Sequence, residues 1–306
     1  MREKNLLHGF KIGHYTNKKA QTGCTVLLAP NGTIASGEIR GSAPGSRETA
    51  LLSPEKQVQE INAIFLTGGS AFGLGAANGV QKYLHEKNIG YKTPWNIIPI
   101  VPAAVIYDYN IGSNKIFPTE KNAYEACKTA SNNFEVGQVG AATGATVGKW
   151  NGIETAMHGG FGFSRIIFKN LIVEVYAVVN SVGDIIADDG KIIAGTIKNK
   201  KFLGSLGRWE NFHTERALLR NSNTTLVVVT TNAKLNKVDA FRVSQRVHDG
   251  MSRAIKPSHT TFDGDASFTL CTGEILVAVD LVAEISAEAT SMAIRNSVKN
   301  STPIKK

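Results

Sequence analysis

His259-Thr260-Thr261-Phe262-Asp263-Gly264-Asp265-Ala266-Ser267-Phe268-Thr269-Leu270-Cys271-Thr272-Gly273-Glu274 is the stretch on which the rest of the chain turns. Asp263-Gly264-Asp265 has the composition of a tight turn: glycine tolerates positive φ, and aspartate bonds to nearby backbone N–H groups. Beyond it, Ala266, Phe268 and Leu270 alternate with Ser267, Thr269 and Cys271. A period of two predicts a half-buried strand. A turn therefore feeds straight into a core strand, and the strand begins at Ala266.

A hydroxyl at that junction would be the layout of a hydrolase that cuts its own chain. In such chemistry a Ser, Thr or Cys attacks the carbonyl of the residue before it, and the resulting ester hydrolyses. The freed residue then carries both nucleophile and base, since an α-amine titrates near pH 8. Ala266 has no hydroxyl and can do neither. Ser267 is the nearest substitute nucleophile, but a shift of one residue turns it to the opposite sheet face. Only a bulge or local re-registration would bring it back. Cys271 would need a cleavage site of its own and reads as a small buried residue.

Segments in a fixed order surround this junction. They are Gly13-His14-Tyr15-Thr16-Asn17 with Thr22-Gly23-Cys24-Thr25-Val26, Arg40 through Thr49 with Leu51-Leu52-Ser53-Pro54, and Leu66-Thr67-Gly68-Gly69-Ser70-Ala71-Phe72-Gly73-Leu74. Pro99 through Asp108, Gly144-Ala145-Thr146-Val147-Gly148-Lys149, Val178-Val179-Asn180-Ser181-Val182-Gly183 and Thr230-Thr231-Asn232-Ala233 follow. From about residue 11 to 275 the chain resembles the DmpA-type family, the L-aminopeptidase/D-esterases, which includes β-peptidyl aminopeptidases and nylon-oligomer hydrolases. The resemblance implies an α+β fold, a four-layer αββα sandwich of two sheets covered by helices, as a single peptidase domain over residues 1–306. It implies a Thr nucleophile where this chain has Ala266. In an active relative, cleavage there would leave chains 1–265 and 266–306. It also implies Asn180 as oxyanion donor, Lys149 in the active cleft, Tyr107 lining it, a small peptide, amide or ester substrate with a free amino end, and a homo-oligomer. With Ala266 in place, the expectation is an uncleaved, inactive form of a self-processing aminopeptidase or amidohydrolase. The alternative is a homologue that is naturally non-catalytic and serves in binding or structure.

Taken alone, these residues keep plainer readings. Lys149 suits a solvated surface as well as a cleft, where an ammonium steadies an oxyanion or lowers a neighbour's pKa. Asn180 ends the apolar run Leu171–Val179 and reads either as a strand-ending turn residue or as an amide donor worth about 3 kcal/mol of barrier. Tyr107 is either a buried tyrosine with one hydrogen bond or part of the cleft wall. His14, His248 and His259 show no spacing that suggests metal ligands or a carboxylate partner. No metal or other cofactor is expected. Gly68-Gly69-Ser70-Ala71-Phe72-Gly73-Leu74 and Gly144 through Trp150 fail the phosphate-loop and dinucleotide patterns, and their glycines read as backbone needing positive φ or close approach.

Composition agrees with an ordinary globular protein: 42 % hydrophobic and 19 % charged residues over 306 positions can bury a large core. The net charge of +9 is scattered, with no aromatic-interleaved basic stripe, so no nucleic-acid partner is expected. No apolar run approaches the roughly 18 residues of a membrane span, and the opening Met1-Arg2-Glu3-Lys4-Asn5 is not a secretory segment. Three cysteines without paired spacing fit a reducing, cytoplasmic setting. Strands are expected at Thr25–Ala29, Ala63–Leu66, Ile98–Val101, Leu171–Val179 and Leu226–Val229, with Ile275–Leu281 extending another. Helices are expected at Pro54–Ala63, Phe72–Lys87, Glu120–Ser131, Lys237–Ile255 and Glu284–Val298, the last with Ile285, Ala289, Met292 and Ala293 on one face.

Overall fold

Strands that are apolar at every position need cover on both faces. The runs Val175–Val179 and Leu226–Val229 are of that kind, and their burial organises the molecule. A computed structural model describes residues 2–4, 7–213 and 223–304. Ten strands make two five-stranded sheets, numbered here in chain order: β1 (Lys11–Asn17), β2 (Thr22–Leu28), β3 (Ile34–Ile39), β4 (Ser46–Arg47), β5 (Ala63–Thr67), β6 (Ala103–Val105), β7 (Gly160–Phe168), β8 (Leu171–Asn180), β9 (Thr224–Ala233) and β10 (Ala266–Ile275). One sheet has the order β1-β2-β5-β6-β4 and the other β7-β8-β9-β10-β3. Each is mostly antiparallel with one parallel pair, β5 with β6 and β9 with β10.

Side-chain alternation divides the apolar residues into three packed layers. Ile12, Leu27, Ile64 and Leu66 of the first sheet meet Phe161, Tyr176, Val178, Val228, Ala266 and Phe268 of the second in the middle of the molecule. The outer face of the first sheet, with Val26 and Phe65, packs on helices α1 (Ala77–Glu86) and α2 (Glu120–Lys128). The outer face of the second, with Val175, Val227 and Val229, packs on α3 (Lys237–Ala254) and α4 (Val279–Ser297). The result is the expected order of helix, sheet, sheet, helix. Among the described residues no helix is long and apolar enough to cross a membrane.

Several local expectations fail for identifiable reasons. Pro54–Ala63 is not a helix: a single 3-10 turn covers Thr49–Leu52, and Ala63 already opens β5. The carbonyls of Leu51, Lys56 and Val58 turn instead to the buried Lys237 ammonium, at 2.6, 3.2 and 2.6 Å. Gln59 and Ile61 then pair with Ala35 and Thr33 beside β3. The run 98–101 is interrupted at Pro99, which has no N–H for a ladder: Ile98 pairs with Tyr91 in a short hairpin, and Ala103–Val105 is the segment that joins the five-stranded sheet. Beyond β10 the chain does not continue as a strand to residue 281, because helix α4 begins at Val279. On α4, Ala289 and Ala293 are buried as expected, whereas Met292 is 37 % exposed. Helix α3 is capped by Asn236, whose Oδ1 accepts from the Asp239 N–H at 2.8 Å.

Lys237→Met deprives three carbonyls of their donor. It is expected to lower the unfolding free energy by about 1–3 kcal/mol, read as a shifted urea midpoint; an unmoved midpoint would show that the 51–58 strap does not depend on the ammonium.

Candidate active site

Strand β10 runs between β9 and β3, with Ala266 level with Leu226 on one side and Ile39 on the other. Both ladders are regular from Ala266 to Cys271, so no bulge re-registers the strand there. The Ala266 side chain enters the core between the sheets alongside Phe268 and Leu270. Ser267 points the other way, under α3. Its hydroxyl donates to the Ser244 carbonyl at 2.8 Å and lies 3.1 Å from His248 Nε2. Ser267 therefore does not stand where a residue-266 side chain stands.

The turn before Ala266 is held by its own carboxylates. Asp263 Oδ2 accepts from the Thr260 N–H at 2.9 Å and the Thr260 hydroxyl at 2.6 Å. Asp265 Oδ1 accepts from the Thr225 N–H at 2.6 Å, and its Oδ2 accepts from the His259 N–H at 3.1 Å and meets His259 Nδ1 at 2.7 Å. The Asp265 carbonyl accepts from two backbone donors, Arg40 N–H at 3.0 Å and Gly41 N–H at 3.1 Å. Histidine does have a carboxylate partner here, contrary to expectation. His259 pairs with Asp265, and its ring packs edge-on against His248 with centroids 4.8 Å apart. The pair meets because the irregular 259–265 segment folds back on itself, a closure that no helix or strand period announces. Burial, reinforced by His259 and Arg40, pushes His248 down to about 3, so its ring is neutral.

Asn180 is the last residue of β8. It shares the inner face with Val178, which is level with Leu226 and hence with Ala266, and it lies two residues further along. Its Oδ1 accepts from Lys149 Nζ at 2.8 Å and from the Thr146 N–H at 3.0 Å. That fixes the amide's orientation, and Nδ2 donates to the Tyr107 carbonyl at 3.2 Å. An amide nitrogen carries two protons, of which Tyr107 takes one. Lys149 is not a surface residue: it is fully buried and also donates to the Asn180 carbonyl at 3.0 Å. Burial lowers its pKa to about 7, with the Asp263 carboxylate opposing. Asp263 in turn is raised by burial and by the charge of Asp265. Tyr107 is half-buried and packs edge-to-face on Tyr109 with centroids 5.4 Å apart. Lys149, Asn180 and the Tyr107 backbone thus form one cluster, joined to the Asp263–Ala266 segment through Asp263. Lys149 and Asn180 are 0 % exposed and Ala266 1 %, so their side chains are closed off from solvent in the continuous chain.

The Gly68-Gly69 loop packs on Asp108, the residue after Tyr107. Gly69 has φ +81° and donates its N–H to Asp108 Oδ1 at 2.8 Å. A Cβ on Gly68 would lie 2.0 Å from Asp108 Oδ2, so glycine is needed there for close approach. Burial raises Asp108 to about 6. Asp108 and the Arg40–Gly41 donors were given no role from sequence, because each acts through contacts with segments distant along the chain, and the pairing of His259 with Asp265 depends on how the turn folds.

A family model described as Peptidase family S58 matches residues 7–306. An uncharacterized aminopeptidase of Mycobacterium leprae is 35 % identical, covering 88 % of this chain and 78 % of its own. The 6-aminohexanoate-oligomer endohydrolase of Paenarthrobacter ureafaciens is 30 % identical, covering 87 % of this chain and 74 % of its own. In fold, the chain is similar to an L-aminopeptidase D-Ala-esterase/amidase from Ochrobactrum anthropi, at TM-score 0.70 and 14 % identity over 95 % of this chain and 84 % of that one.

Unfolding returns Lys149 to an ordinary lysine pKa of about 10.4. Between about pH 7 and about pH 10 the unfolded chain then holds a proton the folded chain lacks, so stability attributable to this residue rises with pH. The difference in unfolding free energy between the unsubstituted chain and Lys149→Met is expected to shift in favour of the unsubstituted chain across that window. A difference flat with pH would mean the amine stays charged in the fold.

Proposed function

The chain belongs to peptidase family S58, and we propose that it is an amide-hydrolysing scaffold of that family that lacks a nucleophilic side chain at residue 266. The observation that carries this reading is the buried Lys149–Asn180 pair. Burying an amine away from water lowers stability unless partners compensate, and a purely structural core would be served by an apolar residue. Three donors around Asn180 Oδ1, the Lys149 amine, Thr146 N–H and Thr146 hydroxyl, aim the amide nitrogen away from themselves. An amide held rigidly in that way is what stabilising a developing oxyanion requires.

With a hydroxyl restored at position 266, the chain would attack its own Asp265 carbonyl and separate into residues 1–265 and 266–306. The new α-amine would then serve as base for the hydroxyl. The hydroxyl oxygen adds to the substrate carbonyl carbon, and the tetrahedral oxyanion accepts from Asn180 Nδ2. The leaving amine takes the proton, and water hydrolyses the ester. Lys149 keeps the Asn180 amide oriented through its hydrogen bonds to the Asn180 side-chain and backbone oxygens. Tyr107 contributes a wall of the opened cleft. The substrate class, a small peptide, amide or ester with a free amino end, is supported by relatives named aminopeptidase and oligomer endohydrolase. Without that hydroxyl, the chain stays whole and turns nothing over.

Intact mass is the direct test. The unsubstituted protein is expected as a single 32.8 kDa species, and Ala266→Thr as two chains ending and beginning at the 265/266 junction, with new activity on amino-acid amides. In the Ala266→Thr background, Asn180→Ala is expected to lower amidase turnover by about 10²–10³-fold. If Ala266→Thr yields neither cleavage nor activity, while remaining folded, the protein is a non-catalytic member of its family.

A further inference from the structure

We infer that the backbone N–H groups of Arg40 and Gly41 form an oxyanion-binding pair for cleavage of the Asp265–Ala266 bond, separate from the Asn180 amide. The inference rests on the self-processing reading given above. The carbonyl that must be attacked is that of Asp265, and both N–H groups already donate to it, at 3.0 and 3.1 Å. A carbonyl within a regular ladder receives one N–H; two successive donors from one strand converge here because the chain leaves β3 at Ile39. Gly41 allows this approach: a Cβ on it would lie 2.2 Å from the Asp265 nitrogen and 2.4 Å from the Asp263 carbonyl. No side chain other than hydrogen fits between the two segments.

The rest of the turn is clamped in the same sense. The Asp265 carboxylate is fixed by Thr225 N–H and His259, and the Asp263 carbonyl accepts from Ala43 N–H at 2.9 Å. The carbonyl therefore cannot rotate away from its donors without breaking several bonds. In the cleavage step, the hydroxyl introduced by Ala266→Thr adds to the Asp265 carbonyl carbon. Negative charge gathers on the oxygen between the two N–H groups, where hydrogen bonds to an ionised acceptor are roughly twice as strong as neutral ones. The C–N bond then breaks, the hydroxyl proton ends on the residue-266 nitrogen, and the acyl group rests on the residue-266 oxygen as an ester. Water hydrolyses that ester to the Asp265 carboxylate and the free hydroxyl. Asn180, two strands away on β8, is left for the later reaction with substrate.

The test measures cleavage rate by intact mass in full-length Ala266→Thr protein. Arg40→Pro removes one donor and is expected to slow cleavage by about 100-fold. Because proline could also disturb folding, a second variant carries glycolic acid in place of Gly41, exchanging its N–H for an ester oxygen without adding a side chain. Slowing of the same order is expected there, with near-UV circular dichroism unchanged. Undiminished cleavage in the glycolic-acid variant overturns this inference and leaves the proposed function standing. Failure of Ala266→Thr itself to cleave overturns both. If Asn180→Ala slows self-cleavage as much as removal of the Gly41 N–H does, the two oxyanion sites are not separate and the inference falls.

Discussion

The Asp265 residue is the constraint on which the rest of the site depends. Its carboxylate ties the start of β10 to β9 through Thr225 N–H and to the preceding loop through His259. Its carbonyl ties the same point to the end of β3 through Arg40 and Gly41. Three segments distant in sequence therefore meet at one residue, and the register of β10 follows from that meeting. A slip of one residue would exchange Ala266 and Phe268 in the central core for Ser267 and Thr269. The polar pair would lose its bonds to α3, and the aromatic ring would be thrust against the helix.

Charge is handled here by burial and fixed donors more than by ion pairs. Lys149 and Lys237 are both buried, and both spend their hydrogen bonds on oxygen atoms of amides. Their surroundings differ in consequence. Lys237 straps an irregular loop against β3, whereas Lys149 orients one side-chain amide that faces the same space as residue 266. Low dielectric around Lys149, Asp263 and Asp108 moves each towards its neutral form. When a reaction creates charge beside such a buried cluster, a preoriented amide or N–H is worth most.

Local pattern was a good guide wherever packing and propensity agreed. The long apolar runs became β8 and β9, and the helical periods at Glu120 and Lys237 became α2 and α3, because each buries a continuous face. Pattern misled where a distant partner claimed the backbone: Lys237 took the carbonyls of the expected helix at 54–63, and Pro99 interrupted the expected strand at 98–101. Asn180 and Lys149 could be picked out through a family resemblance, but that Lys149 is buried against Asn180 could not be seen in either segment alone.

By itself, then, the sequence determined the layered α+β class, the family, the turn-to-strand junction and the lack of a hydroxyl at position 266. These are properties of covalent structure and of short-range periodicity, and folding does not alter them. Tertiary structure alone decided that Ser267 faces α3, that His259 answers Asp265, that Lys149 is buried against Asn180, and that the Asp265 carbonyl sits between two N–H donors. Each of these depends on which segments end up within about 3 Å of one another. That distance is set by sheet order and register across the whole chain, and no stretch of a few residues contains it.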